Sequence, residues 1–198
     1  MKVGIMGGTF DPIHIVHLIA AEQAMSALSL DEVWFVPANV PPHKSNPGGA
    51  SAEDRLAMVR LAIAGNERFR AIDIELRRGG VSYSVDTAEQ LVRQHPDAAF
   101  TYVIGGDMVQ YLPKWYQIER LAGMVGFIGL ARPAYEFDLS GLPPWLADRV
   151  TAAPMPQLDV SSSMIREWRA AGRPVRYLVP EAVYRYMEQE GLYGKNES

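Results

Sequence analysis

Cysteine is absent from the 198 residues, which removes disulfide scaffolds, cysteine–zinc sites and thiol catalysis at once and fits a reducing, cytoplasmic setting. Excess positive charge is absent as well. Nineteen Lys and Arg stand against 23 Asp and Glu, a net charge of −4, so no basic surface for nucleic-acid phosphates is expected. No apolar run reaches the roughly 18 residues of a membrane-spanning helix. The opening MKVGIMGGTFDP breaks into glycine and proline before an apolar leader could form, so no membrane partner is expected either. Internal repeats, charge runs and low-complexity tracts are also missing. What remains is 48% apolar, enough for a sizeable core. At roughly 150 residues per domain, the length suits one domain over 1–198, with 160–198 as its helical C-terminal part.

Short β-branched runs alternate with helical patterns along the chain. Strands are expected at Lys2–Met6, Glu32–Pro37, Arg70–Leu76, Phe100–Ile104, Met124–Ala131 and Val150–Ala153. Helices are expected at Pro12–Leu28, from Ser51 to about Ala64, and at Ser84–Gln94, Trp115–Ala122, Ser161–Ala171 and from Pro180 to about Glu190. Ser51 and Asp54 have the spacing of a capping box. Two stretches, 37–49 and 131–144, are too rich in proline and glycine for either pattern and read as surface loops. Strands separated by helices imply βαβ units, hence a doubly wound α/β fold with a mainly parallel sheet. In such a sheet ligands bind at the carboxyl ends of the strands, so residues just after strands are the first candidates for chemistry.

The first strand runs into Gly7-Gly8-Thr9-Phe10-Asp11-Pro12, followed by His14 and His17. Paired glycines permit a tight turn and let backbone N–H groups approach an anion. Pro12 suits the first turn of a helix, and histidines three apart share one face of it. Two imidazoles at a helix N-terminus make a pocket for phosphate oxygens, although a glycine turn can also be a turn and nothing more. The His-Glu-x-x-His motif of zinc sites is missing, and no protein metal site is expected. The dinucleotide fingerprint G-x-G-x-x-G and the phosphate loop G-x-x-x-x-G-K-[ST] are missing too, so ordinary NAD dehydrogenases and P-loop enzymes lose their main support. Gly105 and Asp107 end a strong strand, where an acidic side chain either bonds a ribose hydroxyl or simply closes a turn. Ser161, Ser162 and Ser163 open a helix with Arg166 one turn in, a set that caps the helix or holds phosphate.

GGTFDPIHIVH resembles the Gly-x-Phe-x-Pro-x-His-x-Gly-His signature of the nucleotidyltransferase superfamily. Further landmarks in order are PPHK (Pro41 to Lys44), ELRRGGVSYS (Glu75 to Ser84), IGGDM (Ile104 to Met108) and LPKW (Leu112 to Trp115). Ala131-Arg132-Pro133, VSSSMIR (Val160 to Arg166) and YLVPEAV (Tyr177 to Val183) complete a set that resembles the bacterial nicotinate-mononucleotide adenylyltransferases. The chain departs from that pattern at Val16, where the family has glycine, and at Ser163, where it has threonine.

The resemblance implies a Rossmann-like nucleotidyltransferase fold and a reaction between ATP and nicotinate mononucleotide, with Mg²⁺ bridging triphosphate oxygens. It implies catalytic roles for His14, His17, Lys44 and Arg166. ATP would be held by Gly7, Gly8, Thr9, Phe10, Gly105, Asp107 and Ser161 to Ser163. Tyr83, Ser84, Trp115 and Arg132 would serve the mononucleotide, the tryptophan stacking on its pyridine ring. The nucleophile is a phosphate monoester with a second pKa of about 6, so no general base is needed. A phosphopantetheine adenylyltransferase, usually shorter, and a nucleotide-binding module without catalysis are the competing readings. A homo-oligomer is compatible with everything above.

Overall fold

The structure is a computed structural model that describes residues 1–41, 49–131 and 139–194. Strands β1 (Lys2–Gly8), β2 (Glu32–Pro37), β3 (Phe69–Ala71), β4 (Ala99–Gly105), β5 (Gly126–Ala131) and β6 (Val150–Pro154) form one six-stranded sheet in the order β3-β2-β1-β4-β5-β6. Every pairing is parallel. This is the doubly wound α/β arrangement expected, with the switch in strand order between β1 and β4. The helices are α1 (Ile15–Leu28), α2 (Ala52–Ile63), α3 (Ile74–Arg78), α4 (Ser84–Gln94), α5 (Gly106–Val109), α6 (Ile118–Met124), α7 (Pro144–Ala147), α8 (Ser162–Ala170) and α9 (Glu181–Gln189). Among the described residues, no helix is long and apolar enough to cross a membrane.

Alternation along the strands divides the core into two layers. Val3 and Ile5 of β1, Trp34 and Val36 of β2, and Tyr102 of β4 face one side with Val85, Leu91 and Leu121. Met6, Val33, Phe35, Val103 and Ile128 face the other, with Ala21 and Met25 of α1 and Met58 of α2. Ile165 of α8 and Val183 and Met187 of α9 belong to that second layer and are fully buried. The C-terminal helices therefore complete one face of the sheet, which brings the end of the chain back to its beginning.

Three expected elements are placed differently. The strand expected over Arg70–Leu76 stops at Ala71, and a helical turn follows. Asp73 and Arg77, four apart and hydrogen-bonded at 2.7 Å, support that turn, while an edge position offers β3 only one partner strand. The helix expected from Trp115 starts at Ile118. Leu112–Lys114 forms a separate 3-10 turn on Pro113, and Gln117 at φ 50 interrupts any continuation. Pro12 lies ahead of α1, joined to Asp11 by a cis peptide, rather than in the first helical turn.

Candidate active site

A cavity of about 590 Å³ opens at the β1/β4 switch. Gly7 and Gly8 of β1 and Ile104 and Gly105 of β4 line it from the sheet. His14, Val16 and His17 line it from the start of α1, and Ser161, Ser162, Ser163 and Arg166 from α8. The tight reversal falls after the paired glycines, not on them. Gly7 and Gly8 still pair with Val36 and Pro37 of β2, and the turn is made by Phe10 at φ 51. A bulky residue in the left-handed region is strained, and here packing holds it. The Phe10 ring is 2% exposed, edge-on to His17 at 5.1 Å and beside Phe35 at 5.9 Å. A Cβ at position 8 would lie 3.1 Å from that ring, so glycine is what lets Phe10 fold back beneath the turn.

His14 is the N-cap of α1 and His17 lies three residues on, with ring centroids 3.8 Å apart. The His14 backbone N–H donates to His17 Nδ1 at 3.2 Å. That bond puts the proton of a neutral His17 on Nε2, making Nε2 a donor. His14 is 5% exposed, and burial pulls its pKa down to about 4, so it is neutral at pH 7. Its Nδ1 has no hydrogen-bond partner among the described residues. A buried polar atom left so costs about 1–3 kcal/mol, which a ligand in the cavity can recover.

The three serines divide their work. Ser161 caps α8 by accepting from Met164 N–H at 3.2 Å, and Ser162 donates to the Pro12 carbonyl at 2.9 Å. Ser163 Oγ accepts from Arg166 Nη2 at 3.3 Å. Two serine hydroxyls thus build the wall itself, and the first-turn N–H groups of α8 begin at the cavity, where a helix end favours anions.

A second cavity of about 170 Å³ shares Gly7, Gly8, Thr9, Ile104 and Trp115 with the first and adds Glu75, Ser82, Ser84 and Tyr102. Trp115 therefore borders both. It is half-buried and held edge-on against Tyr102 and Phe127, with centroids 6.2 and 6.4 Å away. Tyr102 Oη donates to the Ser84 carbonyl at 3.0 Å, fixing the first residue of α4. Glu75 Oε1 accepts from Thr87 Oγ1 at 2.5 Å, and burial pushes the Glu75 carboxyl up from its ordinary pKa. Arg78 donates to the same threonine hydroxyl at 3.1 Å, so a cation stands behind the carboxylate.

Of the residues anticipated, His14, His17, Arg166, Gly7, Gly8, Thr9, Phe10, Gly105 and Ser161 to Ser163 meet on the larger cavity, and Ser84 and Trp115 on the smaller. Asp107 is exposed on α5 and lines neither. Tyr83 packs against Tyr116, with tilted rings 4.6 Å apart, rather than lining the small cavity. Lys44 and Arg132 lie outside the described residues. Among the described residues, no group of three or more His, Cys, Asp or Glu is placed to hold a metal ion.

A family model described as cytidylyltransferase-like matches residues 5–168. A probable nicotinate-nucleotide adenylyltransferase of Geobacillus thermodenitrificans is 47% identical over 197 residues, covering 100% of this chain and 88% of that protein. The chain belongs to the cytidylyltransferase-like nicotinate-nucleotide adenylyltransferases. A second such relative, from Halalkalibacterium halodurans, is 47% identical over 198 residues, 100% of this chain and 93% of its own length. The Plasmodium falciparum nicotinic acid mononucleotide adenylyltransferase complexed with NaAD has a TM-score of 0.78, covers 97% of each chain and is 21% identical, a likeness of fold.

Two residues that build the surroundings of the larger cavity escaped the sequence. Asp11 lay unused inside the first motif, and it is buried to 2%. Arg55 looks like a surface residue of α2, yet it is 5% exposed and donates to the carbonyls of Thr9 at 2.7 Å and Asn39 at 3.2 Å. Nothing in its helical spacing announces that. Val16 is the second residue of α1 and lines the larger cavity beside His14 and His17. Val16→Gly is expected to improve or leave unchanged the apparent affinity for ATP. The cost is at most the roughly 1 kcal/mol helix penalty of glycine, and less this close to the helix end. Isothermal titration with ATP, read beside a thermal melt, checks this; lost affinity in a folded variant would mean that Val16 contributes favourable contact.

Proposed function

We propose that the protein transfers the adenylyl group of ATP to nicotinate mononucleotide, forming nicotinate adenine dinucleotide and pyrophosphate, a step of NAD biosynthesis. The observation that carries this reading is the convergence of the His14–His17 pair, Arg166 and the α8 N-terminus on one cavity at the strand switch. We take residues 1–198 as one nucleotidyltransferase domain, with 160–198 as its helical C-terminal part.

The phosphate of the mononucleotide, with a second pKa of about 6, is already mostly ionised at pH 7. One of its oxygens attacks the α-phosphorus of ATP in line. The bond from that phosphorus to the bridging oxygen breaks, and pyrophosphate leaves with the electron pair. No proton must be removed and no covalent enzyme intermediate forms. The protein's task is positioning and charge stabilisation. His17 Nε2–H, the Arg166 guanidinium and the backbone of Gly7 to Phe10 serve as donors to phosphate oxygens. His14, neutral and packed against His17 with its ring tilted, orients it through the bond from its own backbone N–H. Lys44 adds charge to the phosphates, while Gly105, Asp107 and Ser161 to Ser163 serve the nucleotide.

Magnesium suits this donor set as a companion of the triphosphate. It prefers oxygen ligands and keeps several waters, whereas the cavity offers imidazoles and a guanidinium, so its ligands would be phosphate oxygens and water. Bound there, it would neutralise phosphate charge.

The pyridine ring of the mononucleotide belongs against Trp115, toward the smaller cavity, with Tyr83, Ser84 and Arg132 serving that substrate. The start of α4, an 11-residue helix opening at Ser84, favours an anion such as the nicotinate carboxylate. Nicotinamide mononucleotide would present an amide N–H to donors, at a cost on the order of 1–3 kcal/mol for each mismatch. A preference for the nicotinate substrate of at least about tenfold in kcat/KM is expected, equivalent to about 1.4 kcal/mol. Trp115→Ala should weaken both substrates and leave the ratio nearly intact, because stacking is indifferent to the carboxylate. Steady-state kinetics with both mononucleotides on the two proteins test this. Equal efficiencies, or a preference that disappears with Trp115, would refute it.

A further inference from the structure

Asp11 takes no part in the chemistry above, yet it is among the most heavily engaged side chains in the site. Its Oδ1 accepts from Tyr193 Oη at 2.5 Å and from the Ala50 backbone N–H at 3.0 Å. Its Oδ2 lies 3.8 Å from Arg166 Nη1, and the same nitrogen donates at 2.7 Å to the Asp11 carbonyl. A buried carboxylate beside a site for a triphosphate opposes binding unless it is neutralised, so its presence calls for a compensating role. Tyr193 comes from 182 residues further along the chain and adopts a φ of 57, a left-handed conformation disfavoured for tyrosine. Burial and the neighbouring carboxylate raise its pKa well above that of an ordinary phenol, so the hydroxyl is a fixed donor.

We propose that Asp11 and Tyr193 form a positioning pair for Arg166, in which the phenol near the end of the chain holds the carboxylate and the carboxylate aims the guanidinium at the phosphate end of the larger cavity. This rests on the role of Arg166 proposed above. The guanidinium donates from Nη1 to the Asp11 backbone carbonyl and from Nη2 to Ser163 Oγ, which fixes the plane of its fork, and the Asp11 carboxylate faces Nη1 at 3.8 Å as its counter-charge. The Tyr193 bond commits Oδ1. Without it, the Ala50 N–H still holds that oxygen, but the carboxylate loses a donor that offsets its charge and competes more strongly with the triphosphate for the Arg166 guanidinium. The turn that carries Asp11 also carries the backbone of Gly8 to Phe10, so Tyr193 supports a cavity that it does not line.

Tyr193→Phe keeps the ring and removes only the hydroxyl. It is expected to lower kcat/KM for ATP about tenfold in an otherwise native protein, the scale of one hydrogen bond to a charged group. In an Arg166→Ala background the same change should be worth less than about twofold, because the residue through which it acts is gone. Tyr186→Phe is the control: it removes another C-terminal hydroxyl, bonded to Asp54 at 2.8 Å, without touching Asp11, and should leave kcat/KM unaltered. Calorimetric ATP binding by the same proteins gives a second readout if the Arg166→Ala background is too slow to assay. An equal factor in both backgrounds, no effect of Tyr193→Phe, or an equal loss in Tyr186→Phe would overturn the pairing. An Arg166→Ala protein with native kcat/KM would instead overturn the role of Arg166 itself.

Discussion

His17→Ala is expected to lower kcat by about 10²–10³ while leaving the protein folded, the loss seen when one donor to transition-state charge is removed. The ring is half-buried on the cavity wall, and its Nδ1 is occupied by the His14 backbone N–H, which leaves Nε2 as the nitrogen available to a ligand. It meets Phe10 edge-on and the tilted His14 ring at 3.8 Å. Truncation should cost on the order of 1 kcal/mol of stability. Turnover measured beside a thermal melt separates the two effects. A fall in activity that merely tracks a fall in melting temperature would make His17 a structural residue. His17→Asn, which keeps a donor at shorter reach, should recover part of kcat.

Arg166→Ala should reduce kcat/KM for ATP by roughly 10³, comparable to the lower range for arginines that meet transferring phosphoryl groups. Its side chain is 25% exposed, open enough to reach a ligand and closed enough to have its field poorly screened. Arg166→Lys should recover only a minor part of the loss, because a lysine ammonium cannot satisfy Asp11 and Ser163 and still present a planar fork to phosphate. Initial rates over a range of ATP concentrations, with nicotinate mononucleotide held constant, provide the test. Native kcat/KM in the alanine variant, or full rescue by lysine, would contradict this role.

The sheet was legible because its signal is short-range. Glu32–Pro37 reads as a strand in the sequence and is one in the structure, and alternation along it delivers Val33 and Phe35 to one core and Trp34 and Val36 to the other. Ser84–Gln94 and the cap at Ser51 were equally plain, the latter because one serine and one aspartate three apart suffice to make it. Local signals fail where tertiary contact decides the backbone. Phe10 takes φ 51 because its ring is buried against Phe35 and His17, which no pattern in GGTFDP reveals. Trp115 looks like a helix start, and only the left-handed Gln117 makes it the end of one turn instead.

In the candidate site the same boundary applies. His14, His17, the serines and Arg166 lie in compact motifs and were found as such. The partners that organise them come from afar: Arg55 from α2 onto the Thr9 carbonyl, Tyr193 from the last turn onto Asp11. Arg55 reads as an ordinary polar residue in SAEDRLAMV, and Tyr193 as a tail residue beyond any motif. Their significance lies in long-range geometry alone.

The central claim, that an oxygen of the mononucleotide phosphate displaces pyrophosphate from ATP, is tested most directly with nicotinate mononucleotide carrying ¹⁸O throughout its phosphate. Incubated with ATP and Mg²⁺, the protein should yield nicotinate adenine dinucleotide that retains all of that label, with an equimolar amount of unlabelled pyrophosphate. Absence of dinucleotide, or label lost from it to the released products, would contradict the account.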